Sequence, residues 1–167
     1  MTAAPPGIEL VRYGLDRASE IRPVLLEVYA EVYADEISAD PFFSMARYEQ
    51  RLDGHTSAPE WEAVVGWHNG VCVGYIYGFQ ERRDADEFAL CELMVRQPWR
   101  KTGTAKALHD ALITGRSEKR VSLYVEQAHH KVRALYESWG YRFVGAPQPF
   151  PDAPAYDELV LRLDAEQ

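Results

Sequence analysis

Two runs of β-branched and aromatic residues, Trp61 to Trp67 and Val71 to Phe79, flank the tripeptide His68-Asn69-Gly70, and this arrangement constrains the fold more than any other feature. An Asn-Gly step readily adopts the positive φ angles of a tight antiparallel turn, so the middle of the chain predicts a β-hairpin. Phe88 to Val95 adds another strand, entered from the charged loop Glu81 to Glu87 and stopped at Pro98. Such a sheet must be covered, and the flanking segments supply helices on either side.

Upstream, Ile8 to Tyr13 alternates like a strand. Ser19 before Glu20-Ile21-Arg22-Pro23 predicts an N-cap with proline in the first helical turn, and a helix to about Tyr33. Its apolar residues Ile21, Val24, Leu25, Val28 and Val32 recur every three or four positions and form one stripe. Asp40-Pro41 predicts a second helix, Phe42 to Leu52, ended by Asp53-Gly54-His55. Downstream, a helix starts near Gly103 with Ala107, Leu108, Ala111 and Leu112 on one face. Val121 to Val125 reads as a buried strand, His129 to Trp139 as a helix stopped by Gly140, and Tyr141 to Val144 as a strand. After the proline-rich loop Pro147 to Pro154, Glu158 to Leu163 closes the sheet. The order predicts an α/β (α+β) fold: a mixed central sheet of six or seven strands with helices on both faces.

A chain of 167 residues, 47% of them hydrophobic, supports one domain, which we place at 8–167 behind a loose tail at 1–7. That tail has neither a basic residue nor an apolar run, and no later stretch nears the roughly 18 consecutive apolar residues of a membrane span. A cytoplasmic protein is expected. Cys72 and Cys91 lie in apolar runs and suit buried thiols in a reducing compartment. Histidines and cysteines fit no familiar ligand spacing, so no metal site is expected; His129-His130 reads as a solvated helix start. The net charge of -8 makes nucleic acid a poor default partner and favours a cationic acceptor, although acidity for solubility gives the same balance. A homodimer is left open.

The segment from Glu92 through Pro98-Trp99-Arg100-Lys101-Thr102-Gly103-Thr104-Ala105 breaks a strand at proline, turns through a basic loop and enters a helix. Free backbone N–H groups and the positive end of a helix dipole then point at one spot, which makes an anion site. Gly103 and Ala105 keep side-chain bulk away from it. For this loop alone, an ordinary strand-to-helix turn with surface basic residues is the competing reading. Neither the Walker spacing nor the dinucleotide fingerprint is present.

The same run resembles the acetyl-CoA signature of the GNAT superfamily, [QR]-x-x-G-x-[GA], through Arg100, Gly103 and Ala105 after a Pro-aromatic-Arg lead-in. Ala134-Leu135-Tyr136-Glu137-Ser138-Trp139-Gly140-Tyr141 is similar to the family's second segment, L-Y-x-x-x-G-[FY]. Together they cover roughly Phe88 to Gly145, and His129 stands where family members often carry asparagine. The resemblance implies a largely antiparallel sheet with a splay between strands 4 and 5, acetyl-CoA as co-substrate, and N-acyl transfer to a small-molecule amine. It also implies that backbone amides of Arg100, Lys101, Thr102, Gly103, Thr104 and Ala105 hold the pyrophosphate, and that His129 marks a further coenzyme-contact position. Leu93, Met94 and Val95 would line the pantetheine arm, and a backbone N–H near Met94 or Val95 would receive the thioester oxygen.

On the same footing, Tyr136 is the candidate acid: a phenol with an ordinary pKa of about 10 stays protonated until the thiolate, near 8.5, departs. Packing of its ring between helix and sheet is the alternative. Glu92 is the candidate base because it interrupts an apolar strand, against the alternative of a solvent-facing glutamate; Glu126 is the reserve. An acceptor pocket is expected from Tyr29, Tyr33, Asp35, Glu36, Phe42 and Phe43 on the early helices with Tyr75, Tyr77 and Tyr124 on the sheet, although many of these suit a core. Rival readings are a longer acyl donor, one carried by a carrier protein or aminoacyl-tRNA, a non-catalytic acyl-CoA sensor, and an unrelated ligand-binding α/β domain.

Overall fold

A computed structural model describes residues 2–164. Strand β1 (Glu9–Gly14) passes through a 3-10 turn into helix α1 (Ala18–Val32), followed by α2 (Ala34–Ala39), a 3-10 turn (Pro41–Phe43) and α3 (Met45–Thr56). Strands β2 (Glu62–His68), β3 (Val71–Glu81) and β4 (Asp84–Val95) come next, then α4 (Thr104–Ile113), β5 (Arg120–Glu126), α5 (His130–Ser138), β6 (Arg142–Gly145) and β7 (Tyr156–Arg162).

Several helix ends differ from the sequence expectation. Ser19 is not a cap: α1 begins at Ala18 because the preceding 3-10 turn already supplies its first hydrogen bond, from Ala18 N–H to the Leu15 carbonyl, and Pro23 lies inside the helix. The single helix expected over Phe42 to Leu52 is divided. Asp40 accepts from the Phe42 amide at 2.9 Å and Ser44 from the Arg47 amide at 3.2 Å, so each caps its own segment. Gly54 does not end α3, which continues to Thr56, where the Thr56 hydroxyl donates to the Leu52 carbonyl at 2.8 Å. The charged loop from Glu81 to Glu87 also contracts, since Glu81 pairs with Asp84 and β4 starts there. Arg120 on β5 compensates the acidic start of that strand, pairing with Asp84 and, at 3.1 Å, with Glu87.

The sheet has seven strands in the order β1-β2-β3-β4-β5-β7-β6, antiparallel throughout except for the parallel pair β4 and β5. Asn69 and Gly70 both take positive φ in the β2–β3 turn. Alternation along the central strands divides the core. Ala63, Val65, Tyr75 and Tyr77 meet Leu25, Val28, Tyr48 and Leu52 of α1 and α3 on one face, while Val64 and Ile76 meet Leu108 and Leu112 of α4 on the other.

The feature that positions the site is a bulge. Tyr77 pairs with Glu92 but Gly78 with Leu90, leaving Cys91 as an extra residue on β4. A Cβ at Gly78 would stand 2.4 Å from the Ala89 carbonyl oxygen, so only glycine admits this approach. Strand β4 pairs with β5 only through Glu87, Phe88 and Ala89, and beyond Ala89 the two strands part. The expected splay is present, and the bulged Cys91 lies just inside it.

Candidate active site

Past the splay, one edge of β4 has no strand beside it. The Arg96 amide donates to the Val73 carbonyl at 2.8 Å, so alternation turns the Met94 and Glu92 amides toward β3 as well. Leu93 and Val95 therefore present their N–H and C=O groups to the open side. Met94 is a correction: its amide is engaged by β3 and its side chain is buried against the α1–α3 face. Arg100 reaches back across the opening, its Nε donating to the Val95 carbonyl at 2.9 Å.

The loop after β4 gathers main-chain amides at the start of α4, where the sequence reading expects an anion cradle. Among the described residues, the main-chain amides of Lys101 to Lys106 find no acceptor, while the Arg100 amide donates to the Gln97 carbonyl at 3.1 Å. Arg100 is thus corrected as an amide donor, and Lys106 joins the set. Gly103 has φ +89 and open space where a Cβ would stand, so glycine is required by its left-handed backbone rather than by crowding within the protein. Lys101 also takes a positive φ, +61, which turns the chain so that successive amides converge at the N-terminus of α4. The Thr102 hydroxyl donates to the Trp99 carbonyl and meets the Thr104 hydroxyl at 2.8 Å, bracing the turn.

A cavity of about 470 Å³ opens where β4 and β5 diverge. Glu92 lines it from the α1–α3 side of the sheet, and among the described residues no hydrogen bond engages its carboxylate. Burial pushes Glu92 up to about 7, with Arg51 pulling it down and Glu126 pushing it further up. Tyr136 lines the cavity from the other core cluster, its ring edge-on to Trp139 at 5.3 Å and Tyr141 at 5.4 Å. Burial, and then the charge on Glu92, hold its phenol above the ordinary value. Glu126, also raised mainly by burial, and His129 share the wall, with His129 Nδ1 3.7 Å from the Glu126 carboxylate.

Of the expected acceptor residues, Tyr29, Tyr33, Phe42, Phe43 and Tyr124 line this cavity. Tyr77 and Tyr75 do not. Both are fully buried, Tyr77 meeting His55 Nδ1 at 3.0 Å and Tyr75 sharing a 2.7 Å hydrogen bond with Tyr48, because their β3 positions face the helical core. Asp35 and Glu36 stay outside the lining, on the separate helix α2. The sequence reading missed Arg51, His55, Phe150 and Tyr156. One turn separates Arg51 from His55 on α3, and that spacing was the available signal; nothing in the sequence set Tyr156 apart. Burial pushes His55 down to about 4, aided by the neighbouring Arg51 charge.

Both cysteines are free thiols, Cys72 buried and Cys91 lining the cavity. Among the described residues no cluster of His, Cys, Asp or Glu is placed to hold a metal ion, and no helix is long and apolar enough to cross a membrane. The fold is similar to a solved acetyltransferase from Thermus thermophilus, with 16% identity, a TM-score of 0.69, and coverage of 96% of this chain and 100% of that one. An acetyltransferase from Streptococcus agalactiae is similar at 17% identity and a TM-score of 0.69, covering 95% and 99%. The PaiA N-acetyltransferase of Thermoplasma acidophilum, solved in complex with coenzyme A, is similar at 13% identity and a TM-score of 0.61, covering 93% and 98%. No curated protein matches by sequence. A family model described as the acetyltransferase (GNAT) family matches residues 22–141, which is most of the chain, and with the fold and the splayed sheet already in view the protein belongs to that family.

Proposed function

We propose that this protein transfers an acetyl or other short acyl group from acyl-CoA to the primary amine of a small molecule by direct attack, with Glu92 as base and Tyr136 as acid. The observation that carries the reading is the free edge of β4, which runs from the unpaired amides at Lys101 to Lys106 down to an uncommitted carboxylate in the cavity. Converging amides suit a diphosphate, and a strand edge with free N–H and C=O groups suits an amide-bearing arm, so the residues present fit coenzyme A. Lys101 to Lys106 would hold its phosphates, and Leu93 and Val95 its arm. When bound, the coenzyme supplies the thioester carbonyl that the amine attacks.

The chain's own groups handle the protons. Glu92, with a pKa of about 7, is substantially ionised at neutral pH and accepts a proton from the acceptor's ammonium. An N–H of Leu93 or Val95 on the free edge would receive the negative charge developing on the carbonyl oxygen. Tyr136 would donate its O–H proton to the departing sulfur and regain a proton from the second N–H that the nitrogen gives up as the amide forms, so one proton in all leaves through Glu92. These roles are coupled: the Glu92 charge helps hold the Tyr136 phenol up, and proton uptake by Glu92 removes that charge, making Tyr136 a better acid when the sulfur leaves. The two free thiols are consistent with a reducing compartment such as the cytoplasm.

The test is thiol release from acetyl-CoA against a panel of primary amines. Turnover with at least one amine is expected, with Tyr136→Phe lowering kcat by roughly 10- to 100-fold. Coenzyme binding without turnover across the panel would instead favour a sensor, and absence of coenzyme binding would sink the reading.

A further inference from the structure

The cavity contains a cation that acyl transfer as described does not use. Arg51 projects from α3, with Nη1 donating to the Phe42 carbonyl at 3.1 Å and Nη2 to the Tyr29 hydroxyl at 3.4 Å. Its guanidinium carbon stands 5.0 Å from the Phe42 ring centre and 5.8 Å from that of Tyr48. All of these partners are neutral. Arg22, Arg47, Arg96, Arg116, Arg120 and Arg133, the other arginines that are at least partly covered, each have a carboxylate within 4 Å, but among the described residues Arg51 has none. A partly buried charge facing a cavity without a counter-ion is costly unless something else supplies one. The Arg51 charge acts on Glu92, Tyr29, His55 and Tyr156, which come from β4, α1, α3 and β7 and line the same cavity as Arg51.

We propose that the acceptor is an amino carboxylate, a small molecule carrying both the reacting amine and a carboxylate that binds the Arg51 guanidinium. This rests on the acyl-transfer reading and names the acceptor class for it. A guanidinium is a planar fork with five N–H donors, of which the protein engages two, and a carboxylate is the anion that accepts from such a fork in parallel. Phosphate fits less well: its second charge would face Glu92 and Glu126 across the same space. A molecule with one ammonium and one carboxylate matches a wall bearing both signs. Phe42, Phe43 and Tyr156 offer the remaining surface to an apolar body.

Purely structural use of Arg51, pinning the turn at Phe42 to Tyr29 on α1, is the alternative that the test must separate. Calorimetric binding and acetyl-CoA turnover are measured for matched pairs: common amino acids against the amines left when their carboxylate is removed, and against their carboxamides. The carboxylate member of at least one pair should bind and react better by roughly 10- to 100-fold. In Arg51→Gln this ratio should collapse toward one, mainly through KM, and Arg51→Lys should retain part of it. Equal performance within every pair in the wild type overturns the proposal, as does an R51Q variant that weakens both members equally. Because binding is also read without coenzyme, the two ideas fail separately. Carboxylate-selective binding with no turnover sinks acyl transfer alone; turnover of simple amines with no carboxylate preference sinks only this inference.

Discussion

Between Lys101 and Lys106 the anion cradle is made of main-chain N–H groups from one continuous segment, whereas the cavity farther along β4 draws Tyr29 from α1, Arg51 from α3, Glu92 from β4, Glu126 from β5 and Tyr136 from α5. Among the cradle's side chains Lys101 and Thr102 are exposed, whereas Thr104 is buried and Ala105 and Lys106 are half-buried. In the cavity the side chains are the site, and their properties are set by neighbours distant in the chain. A main-chain site should therefore tolerate side-chain replacement and fail when its backbone is redirected. A side-chain site should behave the opposite way.

The sharpest way to break this contrast is Glu92→Gln. Removal of a general base should lower kcat/KM by roughly 100-fold or more while coenzyme affinity measured by calorimetry stays within about threefold. The wild-type rate should rise with pH through about 7, following ionisation of Glu92, and the variant should lose that limb. Stability moves the other way. The folded-state pKa lies above the ordinary value of 4.5, so folding favours the protonated form; the stability associated with it is complete below about 4.5 and is lost as pH rises through 7. E92Q should therefore melt higher than the wild type at pH 8 and gain nothing at pH 4. A gain that does not change with pH would mean that the cavity does not desolvate this carboxylate.

Next in size is Gly103→Val. Its backbone sits at φ +89, where a β-branched residue is strained although no atom of the protein crowds the site. Coenzyme Kd should rise by about tenfold, with a small fall in Tm. Unchanged affinity would remove the loop from the binding site. The smallest effect is expected for Lys101→Gln, which alters an exposed side chain and leaves its amide in place. Coenzyme affinity should weaken by less than about threefold at 0.15 M salt, where an exposed charge is well screened. A larger loss would show that the charge, and not the backbone, carries the site.

The same contrast explains what was legible. The β2–β3 turn depends on Asn69 and Gly70, and the cradle on Gly103 and the start of α4; both are local, so sequence alone located them. Tyr136, which lines the cavity, was singled out for a different reason, since it stands in a motif. Arg51 carried no such mark. On α3 it reads as one more basic residue of a polar helix, and only the turn at Phe42 and the α1 tyrosine show that it points inward. Tyr77 misled in the opposite direction, because an aromatic on a central strand reads the same whether it faces a cavity or a packed helix.

What the amino-acid order determined by itself was the set of short-range structures: the hairpin, the helices with apolar stripes, and the loop whose main-chain amides gather at the start of α4. Hydrogen bonds and periodicities that span a few residues fix these, and they need no distant partner. Tertiary structure alone decided that Cys91 is the extra residue against β3, that Leu93 and Val95 rather than Met94 face the opening, and that Arg51 meets Glu92 across a cavity. A shift of one position in strand pairing reverses which groups face inward, and that pairing is set by packing between segments far apart in the chain.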